Sequence, residues 1–129
     1  MGCDIHAFVE EKEGIIYCCK AELFINRNYQ LFALLADVRN STGNAKPLIP
    51  ISEPKGLPNE LGWRVINAYE KWQEDAHSET YLNYEEISEA YISAWLDETI
   101  SDDTRKQLLI LQHTMSRMNE PRLILWFDN

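Results

Sequence analysis

Leu123-Ile124-Leu125-Trp126-Phe127 is the stretch that decides the fold. Five consecutive large apolar residues leave no polar side for water, so a strand here is covered on both faces. A strand of that kind lies inside a sheet, with a neighbour on each edge. The first neighbour is expected in Cys3-Asp4-Ile5-His6-Ala7-Phe8-Val9-Glu10. There Cys3, Ile5, Ala7 and Val9 share one face, and Asp4, His6, Phe8 and Glu10 the other. Glu13-Gly14 is a turn signal, and β-branched and aromatic sequence resumes at Ile15 to Cys19, with a further stretch at Leu23-Phe24-Ile25. This predicts a hairpin.

Helical periodicity fills the interval between the hairpin and the closing strand. Leu31, Leu34, Leu35 and Val38 fall at i, i+3, i+4 and i+7, with Asn28 as N-cap and an end near Asn40. Residues 41–60 hold Pro47, Pro50, Pro54 and Pro58 and read as a long irregular loop. Leu48, Ile49, Ile51 and Leu57 within it are expected to pack on the domain. Leu61, Val65, Ala68, Tyr69 and Trp72 form a second helical stripe, and Asp75-Ala76-His77-Ser78 a polar connector. Asn83 and Glu86 form a capping-box pair opening a third helix through Ile87, Tyr91, Ala94 and Trp95. Ser101-Asp102-Asp103-Thr104 opens a fourth, lined by Leu108, Leu111, Met115 and Met118 and stopped by Pro121. The expected fold is α+β over residues 1–129 as one domain. A small, mostly antiparallel sheet, made of the N-terminal hairpin and the C-terminal strand, is packed with about four helices.

Composition narrows the partners. Twelve Lys and Arg against 21 Asp and Glu give a net charge of −9 over 129 residues. Such a chain has no general attraction for nucleic acid or anionic membranes. A local basic pocket for an anionic small molecule remains open to it, as does a cationic protein partner or a homo-oligomeric state. Cys3, Cys18 and Cys19 are odd in number and give no disulfide framework, so a reducing cytoplasm is expected. No apolar run approaches the roughly 20 residues of a membrane span.

No phosphate-binding glycine loop, nucleophile elbow or paired Cys-x-x-Cys motif occurs. The candidates are constellations. Asp4 and His6 share a strand face about 7 Å apart, and Asp75 and His77 repeat the Asp-x-His spacing. Such pairs suit acid–base work, anion binding or a divalent metal. Cys3 and His6 point to opposite faces, so a zinc site using both is disfavoured, and Cys3 reads as a core hydrophobe. Arg27-Asn28-Tyr29 precedes a helix, where free N–H groups favour anions. Arg39 lies beyond that helix, and Lys55 sits in the stiff Pro54-Lys55-Gly56-Leu57-Pro58 turn. The ligand-binding set is therefore Asp4, His6, Arg27, Asn28, Tyr29, Arg39, Lys55, Asp75, His77 and Ser78, converging on one pocket. Neither a metal nor a cofactor is expected. The alternative metal set is His6, Asp75 and His77, with Asp4 available beside it.

The order of Gly2-Cys3-Asp4-Ile5-His6, Arg27-Asn28-Tyr29, Val38-Arg39-Asn40, Pro54 to Pro58, Asp75 to Ser78 and the terminal Trp126-Phe127-Asp128-Asn129 resembles a family of small bacteriophage and prophage proteins. The resemblance spans nearly the whole chain, apart from residues 79–121. The chain departs from the family pattern at Lys55, where the family has Arg, and at Ala76, where it has Gly. It also departs at Glu79-Thr80, where a second His-Ser is absent and with it an extra histidine. The resemblance implies a protein of the infected bacterium's cytoplasm, dispensable for building the virion. The combined expectation is a non-catalytic ligand-binding protein, a sponge for a nucleotide-type defence signal. A metal-dependent phosphohydrolase using Asp4, His6, Asp75 and His77, or an acidic inhibitor of a host protein, are the alternatives.

Overall fold

The computed structural model describes residues 2–43 and 46–129. Strand β1 (Asp4–Glu13) turns through Gly14 into β2 (Ile16–Leu23). Gly14 has φ 64°, the positive value that the first position of a tight hairpin turn requires. Helix α1 (Tyr29–Ala36), the single turn α2 (Asn40–Gly43) and α3 (Trp63–Glu70) follow. Then come β3 (His77–Asn83), α4 (Tyr84–Leu96), α5 (Asp102–Met115) and β4 (Arg122–Asp128). The sheet order is β2-β1-β4-β3, antiparallel throughout. This is an α+β fold, and β4 is internal as its apolar run predicts. Leu123 to Phe127 are all fully buried.

Register assigns the two faces. Ile5, Ala7 and Val9 lie opposite Phe127, Leu125 and Leu123. They meet Leu31, Phe32 and Leu35 of α1, Ile87 and Ala94 of α4, and Leu108, Leu111 and Met115 of α5 in the main core. On the other face His6, Phe8 and Glu10 lie opposite Trp126, Ile124 and Arg122. Phe8, Val65, Ile124 and Trp126 form a second, smaller core there beneath α3, joined by Leu57, Leu61 and Tyr69. Among the described residues no helix is long and apolar enough to cross a membrane.

Several local expectations are corrected. Residues 75–78 are not wholly a connector, because His77 begins a fourth strand, an edge strand whose pairing is interrupted between His77 and Thr80. Ser78 there has φ 56°, so the alternation that marks a strand is broken. Strand β2 continues to Leu23 through one irregularity of pairing at Lys20, which falls between the partners of Val9 and Glu10. Helix α1 stops at Ala36, before Asn40, because Asp37 adopts φ 59° and its N–H turns back to the Ala33 carbonyl, a left-handed cap. Within the long loop Leu48 and Ile51 pack on the core, but Ile49 is exposed. Trp95 is exposed rather than on the buried face of α4, its ring covered in part by the Arg105 guanidinium at 5.3 Å.

A polar lock lies inside the apolar face that α3 covers. Glu10 is fully buried and accepts from Arg122 Nε at 2.9 Å. Its other oxygen accepts from the Gly62 N–H at 2.7 Å. Arg122 also donates to the Glu60 carbonyl and lies 3.5 Å from the Tyr17 ring centroid. A Cβ at Gly62 would stand 2.7 Å from the Tyr17 carbonyl oxygen, so only glycine lets this segment close on the hairpin. Replacing Arg122 with Ala strands a buried carboxylate and should cost about 3–5 kcal/mol. The double change Glu10→Leu with Arg122→Met should recover most of that. Urea unfolding checks both, and an Arg122→Ala midpoint equal to that of the unaltered protein would contradict the lock.

Candidate functional site

The start of β1, the end of β4 and the start of β3 meet at one end of the sheet, and most candidate residues gather there on two faces. On the α3 face, Asp4 accepts from Arg27 Nε at 2.7 Å and Nη2 at 3.1 Å, a forked pair. Those bonds hold the Asp4 carboxyl below its ordinary pKa. The guanidinium lies where a Gly2 side chain would be, since a Cβ there would stand 1.9 Å from Nη1. Beside this pair, His6 Nε2 meets Asp128 Oδ2 at 2.5 Å. A carboxylate oxygen only accepts, so Nε2 carries the hydrogen and Nδ1 is left as an acceptor. The imidazole stacks on Trp126 at 5.7 Å and meets the Trp72 ring at 4.5 Å with a tilt of 35°. Trp126 continues the stack to Phe8. Its indole N–H is buried and has no acceptor among the described residues. Trp72 is 37% exposed, so the outer side of the stack is partly open.

The opposite face carries the rest. The Cys3 N–H donates to Tyr29 Oη at 3.3 Å, and the Arg39 guanidinium lies 5.4 Å from the Tyr29 ring centroid. Arg39 forms no ion pair among the described residues, and it lines a shallow hollow of about 500 Å³ with Asp37, Asn40, Ser41 and Pro47. His77 lies opposite Phe127 and stacks on it at 6.1 Å. Its Nε2 contacts Asn129 Oδ1 at 2.9 Å and its Nδ1 contacts Ser78 Oγ at 3.0 Å.

One end of the sheet thus gathers Asp4, His6, Arg27, Tyr29, Arg39, His77 and Ser78, but not in one pocket: His6 and His77 stand on opposite faces. Three candidates lie outside this grouping. The Asn28 side chain caps α1 through Leu31 N–H and donates to Asp103 and Thr104 at the start of α5, so it is spent on joining two helices. Lys55 is engaged by Glu86 at 2.8 Å and sits over Tyr81, toward the other end of β3. Asp75 is exposed, with no side-chain hydrogen bond among the described residues. The alternative set His6, Asp75 and His77 is therefore not assembled, and among the described residues no three His, Cys, Asp or Glu side chains are disposed to hold a metal ion.

Asp128 and Asn129 are the partners that sequence reasoning left without a role. Their signal was present in the register that pairs β1 with the final strand, since Asp128 falls opposite Asp4 and two residues beyond the position facing His6, on the same face. A separate cleft lies between α4 and residues 46–51. It has a volume of about 490 Å³ and a floor of Leu34, Leu48, Ile51, Ala90, Ala94 and Ile100. None of the candidate residues lines it, and the sheet end is the better site because charged and aromatic groups converge there. Comparison of the chain with protein-family models, curated proteins and solved structures finds no match.

Tyr69 braces the stack. Its ring meets Trp126 edge-on at 5.1 Å and its hydroxyl donates to Glu79 at 2.8 Å. Burial, then the Glu79 carboxylate, push its pKa up from 10.0 to about 12. The raised value favours the folded state below the unfolded pKa, and that contribution is lost as pH rises from about 10 toward about 12. Unfolding measured across this window should show a loss of stability that Tyr69→Phe largely removes. An identical alkaline profile in the variant would contradict the assignment.

Proposed function

We propose that the chain is a phage-encoded protein that binds a small, planar, anionic ligand of the nucleotide type and holds it without converting it. The carrying observation is the stack of half-open Trp72 on His6 beside the Arg27 guanidinium. An aromatic ring can add to the outer side of Trp72, where stacking contributes about 1–3 kcal/mol per base. A phosphate or carboxylate then competes with Asp4 for the forked guanidinium, and His6, oriented by Asp128, offers a further polar contact. Arg39, without a carboxylate partner among the described residues, adds positive potential at the same end of the sheet. In a chain of net charge −9 these are the groups that can hold an anion.

The reading places the protein in the cytoplasm of the infected bacterium, as a sink for a defence signal, with no role on nucleic acid or membranes. The phosphohydrolase alternative has less support, because its ligands do not assemble. A second reading, inhibition of a host protein, draws on a different surface. Edge strand β2 and the start of α3 flank a groove where Ile15, Ile16 and Trp63 are exposed.

Titration calorimetry with mono-, di- and cyclic nucleotides tests the proposal. Arg27→Ala should weaken binding by about 1.5–3 kcal/mol, roughly tenfold to a hundredfold. Trp72→Ala should weaken it by about 1–3 kcal/mol. Neither should alter the fold. Counter-defence activity lost in Trp63→Ala but kept in Arg27→Ala would favour the host-protein reading.

A further inference from the structure

The proposed ligand reading assigns no bond-making step to the chain, yet the face of the sheet away from Trp72 carries a nucleophile with a base behind it. We propose that Ser78 is an activated nucleophile, with His77 as its general base and Asn129 as the residue that positions the base, and that it accepts acyl groups from activated esters.

Three observations point the same way. First, Ser78 Oγ lies 3.0 Å from His77 Nδ1. Second, His77 Nε2 lies 2.9 Å from Asn129 Oδ1. An amide oxygen only accepts, so Nε2 bears the hydrogen and Nδ1 is the acceptor that the Ser78 hydroxyl addresses. A nucleophile bonded to a base that a third group orients is the arrangement of covalent acyl transfer. Third, Ser78 sits at φ 56°, a left-handed conformation uncommon for serine and of a kind that concentrates at functional sites. The hydroxyl is held at an interruption of an edge strand, half-buried beside the half-buried imidazole. Stacking on Phe127 keeps the ring in the plane that faces it.

The chemistry balances with an ester and water alone. Ser78 Oγ forms a bond to the ester carbonyl carbon as its proton passes to His77 Nδ1. The carbon–oxygen bond to the leaving group breaks, and that group departs as the alcohol with the proton from His77. Water, deprotonated by His77, then attacks the acyl-serine and releases the carboxylic acid, returning the proton to Ser78 Oγ.

The thiols compete weakly. Burial raises the Cys3, Cys18 and Cys19 thiol pKa values above the ordinary range, so each is a weak thiolate source. The full chain should turn over p-nitrophenyl acetate with release of p-nitrophenolate, and a fluorophosphonate should leave one covalent adduct, mapped to the peptide containing Ser78. His77→Gln should slow labelling roughly a hundredfold or more. Ser78→Gly, which suits the left-handed backbone, should fold with an unchanged melting profile and take no adduct. Asn129→Asp keeps the acceptor and should retain labelling, whereas Asn129→Leu should slow it. No adduct at Ser78, or labelling at the same rate in folded His77→Gln, overturns the proposal.

Discussion

The structure depends on β4 having a partner on each side. Its seven residues bond to β1 along one edge and β3 along the other, and the apolar residues Leu123 to Phe127 are fully buried on alternating faces. Each large side chain withdrawn from water contributes about 1.5–3 kcal/mol, and five in succession make this strand the common wall of both cores. It also joins residues 4–10 to residues 122–128, the longest sequence separation in the sheet. Closing that contact carries the largest loop-entropy cost in the sheet.

The two ends of β4 do different work with polar groups. Arg122 opens the strand inside an almost dry pocket, where Glu10, the Glu60 carbonyl and the Tyr17 ring take up its charge and donors. A buried pair of that kind adds little net stability but penalises any register in which one partner lacks the other. A one-residue slip of β1 against β4 would bury Glu10 opposite Leu123 or leave Arg122 facing the main core. The pair therefore sets the register, and the register decides which side chains reach the other end of the sheet.

Much of this was legible in the sequence, because burial on both faces, strand alternation and helix caps each have short-range signatures. The internal strand, the faces of Asp4 and His6, the Asn28 cap and the Asn83–Glu86 capping box all follow from such patterns. The misses are non-local or masked by polarity. His77 to Asn83 is an edge strand rich in polar residues with a left-handed serine inside it, so no period survives to be read. The buried Glu10 and Arg122 are separated by most of the chain, and each alone looks like a surface charge. Residues of the candidate site share a sheet end without sharing a pocket, since proximity along the strand axis was inferable and the face occupied by β3 was not.

At that end the alternation of a single strand furnishes both faces of the sheet. Trp126 and Phe127 are adjacent and point to opposite faces, one stacking on His6 and the other on His77. Asp128 and Asn129 repeat the pattern one step further, each holding the imidazole on its own side. The acceptors differ in kind: Asp128 places a carboxylate behind His6, whereas Asn129 places a neutral amide behind His77. Consecutive residues of one strand therefore hold one histidine beside Trp72 and another against Ser78. Because both imidazoles are tied to consecutive residues, a displacement of the end of β4 on one face must be felt on the other.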